Sequence, residues 1–188
     1  MMQVQENVNY IFLGSQESMM TDIFERKKSP FYHFGKLMYL KKIPYDDFFE
    51  YVSDRLTPVM YDNAAKATEA ILSFTLCHPY YTQQLASQIW EIAAYESVNQ
   101  DIVEKAIERI VTTHDYDYER LWLNFNLTDK KLLQALCLGK TEDIRRLMPA
   151  STFNSSVQRL MKRGYVIRTD RPELEDPFFS RWILGQMN

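Results

Sequence analysis

The sequence has little of what several classes of protein depend on. Its 188 residues include two cysteines, Cys77 and Cys137, which are too few for a disulfide scaffold and typical of a reduced compartment. No apolar run approaches the roughly 18–20 residues that cross a bilayer. The first residues, MMQVQENVNY, lack the basic end and apolar stretch of a secretory signal. We therefore expect a cytoplasmic protein with no membrane partner.

Glycine is also scarce, which bears on phosphate binding. The chain has five glycines, whereas phosphate-binding loops need several close together, because backbone amides must approach the ligand without an intervening Cβ. Gly139-Lys140-Thr141 resembles the end of a G-x-x-x-x-G-K-[ST] loop, but Gln134 stands where the first glycine is required. The preceding LLQALCL predicts a helix that ends at Gly139. The chain thus contains no phosphate loop.

Composition and charge fit an ordinary globular protein. Apolar residues make up 46% of the chain and charged residues 25%. Because 22 Lys and Arg stand against 25 Asp and Glu, the net charge is −3. A surface for nucleic acid would therefore have to be a local patch.

The first 45 residues give the least regular pattern. Residues 9–13 (Asn-Tyr-Ile-Phe-Leu) predict a buried parallel strand that ends at Gly14-Ser15, and residues 18–28 predict a helix. A lone strand cannot satisfy its own backbone, so this prediction implies neighbouring strands or a partner.

Residues 46–126 predict a bundle of helices. Asp46 and Asp47 suit a first helical turn, where carboxylates complement the helix dipole. Pro79 suits another helix start, and apolar residues follow it at steps of four, four and three, at Tyr81, Leu85, Ile89 and Ile92. Similar periodicity over 63–76 predicts another helix. Asn99 can cap a further helix, in which the apolar residues recur in the same way at Val103, Ile107 and Ile110. Asp115 and Asp117 are better explained as a helix start than as an acid–base pair.

Residues 127–188 predict a winged helix-turn-helix. Helices are expected from Thr128 to Leu138, from Thr141 to Pro149 and from Phe153 to Gly164, followed by a hairpin with strands at 165–168 and 173–175. The predicted fold class is therefore mainly α, with a helical bundle and a C-terminal winged helix after a short α/β segment.

The third helix of this region has the character of a DNA-reading helix. Its apolar residues (Phe153, Val157, Leu160, Met161) share one side, which leaves polar and basic residues opposite. Between 150 and 171, five basic residues stand against one acid. Such residues contact bases and phosphates when a helix enters the major groove, although the same face could equally contact a protein or solvent. The predicted DNA-binding residues are Ser155, Gln158, Arg159, Lys162 and Arg163 on the helix, with Arg168 and Arg171 on the hairpin.

The sequence offers no catalytic or metal-binding constellation. The three histidines, His33, His78 and His114, do not stand at metal-ligand spacing from each other or from a cysteine. Both cysteines lie in apolar stretches, which favours buried structural thiols. We predict no catalytic residue and no metal site.

The most distinctive string of the bundle is His78-Pro79-Tyr80-Tyr81-Thr82-Gln83-Gln84. It is typical of a helix start with Tyr81 packed inward. A helix N-terminus can also bind an anion such as phosphate, but the residues alone favour the packing role.

Several strings in order resemble the C-terminal half of the archaeal-type AAA ATPases, a group within the signal-transduction ATPases. They are Tyr10-Ile11-Phe12-Leu13-Gly14-Ser15-Gln16, Pro30-Phe31-Tyr32, His78-Pro79-Tyr80-Tyr81-Thr82-Gln83-Gln84-Leu85 and Asp176-Pro177-Phe178-Phe179-Ser180-Arg181-Trp182. The resemblance implies three parts: a remnant of a P-loop core (1–45), a helical lid (46–126) and a winged helix (127–188).

The same resemblance implies nucleotide-sensing positions. Ser15 or Gln16 would end the first sensor strand near the γ-phosphate, and His78-Pro79 would form the second-sensor turn, where the family more often has Gly before Pro. Both Walker motifs are absent, so nothing in this chain holds the β- and γ-phosphates. ATP and magnesium are expected only if another chain supplies the core.

These expectations combine into a non-catalytic fragment of an ATP-dependent regulator whose winged helix contacts duplex DNA. The alternatives are a protein-interaction module and an ATPase subunit completed by another chain. An orphaned N-terminal remnant would expose apolar surface, so a protein partner or homodimerisation through that segment is also expected.

Overall fold

The protein is mainly α-helical, as predicted. The computed structural model describes residues 8–14, 17–38, 43–96, 101–168 and 171–187. The helices are α1 (Glu17–Phe24), α2 (Tyr45–Met60), α3 (Ala64–Thr75), α4 (Pro79–Tyr95), α5 (Ile102–Thr113), α6 (Asp115–Leu123), α7 (Leu127–Cys137), α8 (Thr141–Leu147), α9 (Ala150–Lys162) and α10 (Pro177–Gly185), with a 3₁₀ turn at Tyr61–Asn63 and strands β1 (Val166–Arg168) and β2 (Pro172–Leu174).

The chain divides into two compact units, Met1–Leu40 and Lys41–Asn188. In the first unit, α1 carries the buried Phe24. The Phe12 ring lies 5.3 Å from that of Phe24 and 6.0 Å from that of Phe31, so an aromatic cluster forms the centre of this unit.

The strand predicted at residues 9–13 is wrong. Residues 8–14 contain no strand, and Ile11 and Leu13 are exposed. The physical reason is that no described segment pairs with these residues as a neighbouring strand, and an isolated strand leaves its ladder groups unpaired. The Phe12 ring packs against the Phe24 ring and is not buried in a sheet.

The second unit opens with the predicted bundle. Asp46 and Asp47 lie in the first turn of α2, and Phe48, Val52 and Leu56 follow on its buried side at steps of four. Other predicted inward positions are also buried, on α4 (Tyr81, Leu85, Ile89, Ile92) and on α5 (Val103, Ile107, Ile110). Asn99, the predicted cap of α5, lies outside the described residues.

After the bundle, the second unit continues with three helices, α7, α8 and α9, and with the hairpin formed by β1 and β2. Asn126 caps α7 by accepting a hydrogen bond from the Asp129 amide, two residues before the predicted start at Thr128. Gly139 has a φ of +67°, and α7 ends just before it, as predicted. Strands β1 and β2 pair antiparallel with Val166 opposite Leu174 and Arg168 opposite Pro172.

Helix α10 returns the chain to the bundle. It packs against α5, α6 and α7, and it buries Phe178, Phe179 and Trp182. Residues of the bundle, of α7, of α9 and of α10 share one hydrophobic core, and Ile144 of α8 packs partly against it.

Candidate nucleic-acid interface

Helix α9 has one buried side and one exposed side. Phe153, Val157 and Leu160 are buried, and the predicted Met161 packs partly against the same core. The exposed residues include most of those predicted to contact DNA: Ser155, Gln158, Arg159, Lys162 and Arg163. The helix therefore presents a continuous polar and basic surface to solvent.

Arg159 differs from the other residues of that surface, because its guanidinium hydrogen-bonds the buried Asp129. Nε donates to Oδ2 of Asp129 at 3.0 Å and Nη2 donates to Oδ1 at 2.6 Å. Nη2 also donates to the Ser156 hydroxyl at 3.0 Å. Asp129 is only 1% exposed whereas the Arg159 side chain is 42% exposed, so the arginine covers a carboxylate that would otherwise be buried without a counter-ion.

This ion pair changes the role predicted for Arg159. Its hydrogen bonds to Asp129 raise the pKa of the guanidinium above its usual range. The Asp129 carboxylate is held in turn by Asn126, whose Nδ2 donates to Oδ2 at 2.9 Å. Arg159 thus joins the start of α7 to the last turn of α9, and it is better suited to positioning the helix than to reading a base.

Arg163 is held by aromatic rings at the end of α9. Its guanidinium carbon lies 5.4 Å from the ring centre of Phe125 and 5.0 Å from that of Tyr165, distances typical of cation–π contacts. The two rings meet edge to face at 5.0 Å. The arginine therefore stays exposed, but its position next to the hairpin is restricted.

A groove lies beside Arg159. It has a volume of about 650 Å³ and lies between the start of α7 and the first half of α9. Its walls combine hydroxyl, amide and guanidinium groups with apolar surface, and they are formed by Phe125, Asn126, Leu127, Thr128, Thr152, Ser155, Ser156 and Arg159.

The hairpin carries the two other predicted DNA contacts, Arg168 and Arg171. The backbone of Arg168 lies in β1, but its side chain is outside the described structure, as are residues 169 and 170. Arg171 is exposed and directly precedes β2.

The predicted nucleotide-sensing residues fall into two groups. Ser15 and Gln16 lie outside the described residues. His78 and Pro79 stand where the sequence predicted, since His78 precedes α4 and Pro79 is its first residue. His78 Nε2 lies 3.4 Å from Oε1 of Glu175, and no described residue hydrogen-bonds its buried Nδ1. A carboxylate at this helix start is unfavourable for a second anion.

Glu175 belongs to a polar cluster that sequence reasoning missed. The Tyr81 hydroxyl donates to Oε2 of Glu175 at 2.5 Å, and the Tyr118 hydroxyl donates to Oδ2 of Asp176 at 3.0 Å. Burial, followed by the charge of Asp176, raises the pKa of both phenols. Burial also raises the pKa of Asp176, although the backbone amides of α10 that it caps oppose this. The cluster fastens the segment before α10 to α4 and α6.

Metal binding has no candidate site in the described part of the chain. No group of three or more His, Cys, Asp or Glu side chains among those residues could hold a metal ion. None of the described helices combines the length and apolar character that spanning a bilayer requires.

Comparisons with known proteins returned no relative. No protein-family model matches the chain, and no curated protein and no solved structure matches it either.

Proposed function

We propose that residues 127–188 form a winged helix that contacts duplex DNA through the exposed side of α9. The order of elements supports this, because three short helices lead into a two-stranded antiparallel hairpin. In such a unit the third helix enters the major groove and the hairpin lies beside it as a wing.

The observation that carries the proposal is the separation of charge along the second unit. Residues 127–188 contain eleven basic and seven acidic residues, whereas residues 46–126 contain five basic and fourteen acidic residues. DNA phosphates attract the first region and repel the second. The C-terminal part of the chain is therefore the face that would approach a duplex.

Individual roles follow from how each side chain is held. Lys162 is exposed at the end of α9 and would contact phosphate, while Gln158 and Ser155 could reach base edges. Arg159 would act by positioning, since Asp129 holds it. Arg163 is exposed beside the hairpin and would contact phosphate there. Arg168 and Arg171 are the proposed contacts of the wing itself.

Fluorescence anisotropy with a labelled duplex tests this proposal. With four basic residues on phosphates, binding should weaken with salt at a log–log slope of about −3 to −4. Lys162→Ala combined with Arg163→Ala should lower affinity and make the slope about 2 units less steep. The matched control is Lys66→Ala with Arg120→Ala, which removes two exposed charges from the bundle.

Two results would overturn the DNA proposal. One is the absence of measurable binding at about 50 mM salt, where phosphate contacts are strongest. The other is an equal loss of affinity in the control variant, because that would assign the effect to net charge and not to α9.

We further propose that this chain is the non-catalytic part of an ATP-dependent regulator, with residues 46–126 as its lid. The resemblance to archaeal-type AAA ATPases supports this, and the missing phosphate loop supports the absence of ATP binding by this chain alone. Thermal unfolding with and without ATP and magnesium tests it. No change in Tm is expected, and a rise of several degrees would show a complete nucleotide site.

A protein-binding role is the second candidate. Leu127 and Leu147 are exposed apolar side chains in the same region, and such residues favour protein contact. If the duplex does not bind, a winged helix that packs on a protein partner or on an ATPase core becomes the better proposal.

A further inference from the structure

A second groove lies between α2 and α4, and it lacks the basic character of the exposed side of α9. It has a volume of about 500 Å³, and its walls are mainly apolar. Phe48, Val52 and Leu56 form its floor, and all three are buried. Tyr51 and Trp90 stand at its sides with 52% and 43% of their surface exposed. Large aromatic side chains left partly exposed around an apolar floor are typical of protein-binding sites.

The α2 edge of this groove is acidic. Asp47, Glu50 and Asp54 recur at steps of three and four, which places them in one stripe along the helix, next to Tyr51. All three are exposed, and no ion pair joins any of them to a described residue. Among the described residues of the groove wall, Arg55 is the one cation, and its guanidinium carbon lies 3.9 Å from the centre of the Tyr51 ring. The stripe is thus left without a counter-charge in the described part of the protein.

The rest of the bundle adds to the negative charge around the groove. Residues 46–126 carry nine more acidic than basic residues, so the groove lies in the most negative region of the second unit. DNA is excluded as its occupant by charge, which separates this site from the face proposed for DNA binding.

We propose that the groove between α2 and α4 docks a basic amphipathic helix from a partner protein. Its apolar side chains would enter between Tyr51 and Trp90. Lys or Arg residues one helical turn apart would align with Asp47, Glu50 and Asp54, because the two helices share the same spacing along their axes. The acidic stripe spans about 10 Å, two turns of helix, which matches the spacing of a helical segment laid along it.

The test uses the full chain and a fluorescein-labelled model peptide of about 18 residues, long enough for five helical turns. One peptide carries leucines and a tryptophan on one face and lysines on the other. Its control has the same apolar residues with glutamate in place of lysine. The lysine peptide should bind about tenfold or more tightly than the glutamate peptide, and salt should reduce this difference.

Substitutions inside and outside the groove test whether the peptide binds there. Glu50→Lys with Asp54→Lys should weaken the lysine peptide about tenfold or more. Asp62→Lys with Glu69→Lys makes the same change in net charge at exposed positions outside the groove and should have little effect. Tyr51→Ala should weaken both peptides, because it removes an apolar wall. In NMR spectra the indole N–H resonance of Trp90 should shift on peptide binding, while that of the buried Trp182 stays unchanged.

Several results would overturn the proposal. They are the absence of peptide binding, equal binding of the two peptides, or equal weakening by the two charge-reversal pairs. A fourth is concentration-dependent dimerisation of the chain alone that shifts the Trp90 resonance, because a second copy would then be the occupant.

Discussion

Arg159 on α9 closes over the buried carboxylate of Asp129 on α7, with two hydrogen bonds of 3.0 and 2.6 Å. The residues are 30 positions apart in sequence, and each belongs to a different helix of the proposed winged helix. Paired donors from one guanidinium to one carboxylate fix both distance and orientation. The pair therefore fixes the orientation of α9, the helix proposed to contact DNA, relative to α7.

Arg159→Ala should lower stability more than any neighbouring substitution on the exposed side of α9. Removing the arginine leaves the Asp129 carboxylate buried without a counter-ion, which we expect to cost about 2–3 kcal/mol of unfolding free energy; partial exposure of the arginine keeps the figure below the upper range for fully buried pairs. Urea denaturation measures this loss.

Lys162→Ala is the matched control for that measurement. Lys162 lies on the same helix and is exposed, so its loss should change stability by less than about 0.5 kcal/mol. If the two variants are equally stable, the ion pair has no structural role and Arg159 is free to contact DNA directly.

Phe178→Ala tests whether α10 is part of the bundle core. Phe178 is fully buried, and its ring lies 5.3 Å from that of Phe74 and 6.0 Å from that of Tyr81. The truncation leaves a cavity between α10 and two bundle helices, and we expect a loss of about 3–5 kcal/mol in urea denaturation. Phe178→Leu should lose less, which keeps the measurement possible if the alanine variant does not fold. Met187→Ala, at an exposed site, should be close to neutral.

Local patterns in the sequence predicted most of the helices, because each has its own periodicity and its own start. Tyr81, Leu85, Ile89 and Ile92 are spaced for one face of α4, and Pro79 marks its first turn. Gly139 marks the end of α7 for a similarly local reason, its positive φ.

What the sequence could not predict depends on residues far apart in the chain. The pattern of α9 placed Arg159 on the polar side, and that is correct, but nothing local indicates the partner at Asp129. The strand predicted at residues 9–13 failed for the same reason, since strand formation depends on a neighbour and not on the apolar run itself.

Arg181 should contribute little to stability, in contrast to Arg159. It pairs with Glu104 and Glu108 of α5, and all three side chains are about half exposed. Exposed pairs are screened by solvent, so Arg181→Ala should cost less than about 1 kcal/mol. The loss should shrink further at about 0.5 M NaCl. Urea denaturation at low and high salt checks this, with Arg120→Ala as an exposed arginine control; a loss that does not depend on salt would contradict an electrostatic role.

The pH dependence of stability should report on Asp176. Burial raises the pKa of this carboxyl, even though Tyr118 and the amides of Phe178 and Phe179 hydrogen-bond it. When the folded pKa lies above the unfolded value of about 3.9, the protonated form favours the folded state. The stabilisation is therefore present at low pH and is lost as pH rises through the folded pKa.

Asp176→Asn removes this titration while it keeps a side chain that can cap α10. The unfolding free energy of the variant, relative to the unmodified chain, should rise as pH increases from about 4 to about 7.5, because only the unmodified chain then buries a charge at position 176. Asp62→Asn, at an exposed position, corrects for the general effect of removing one carboxylate. If the relative stability of Asp176→Asn stays constant or falls over this range, the hydrogen bonds from Tyr118 and α10 outweigh burial, and Asp176 is an ordinary charged cap.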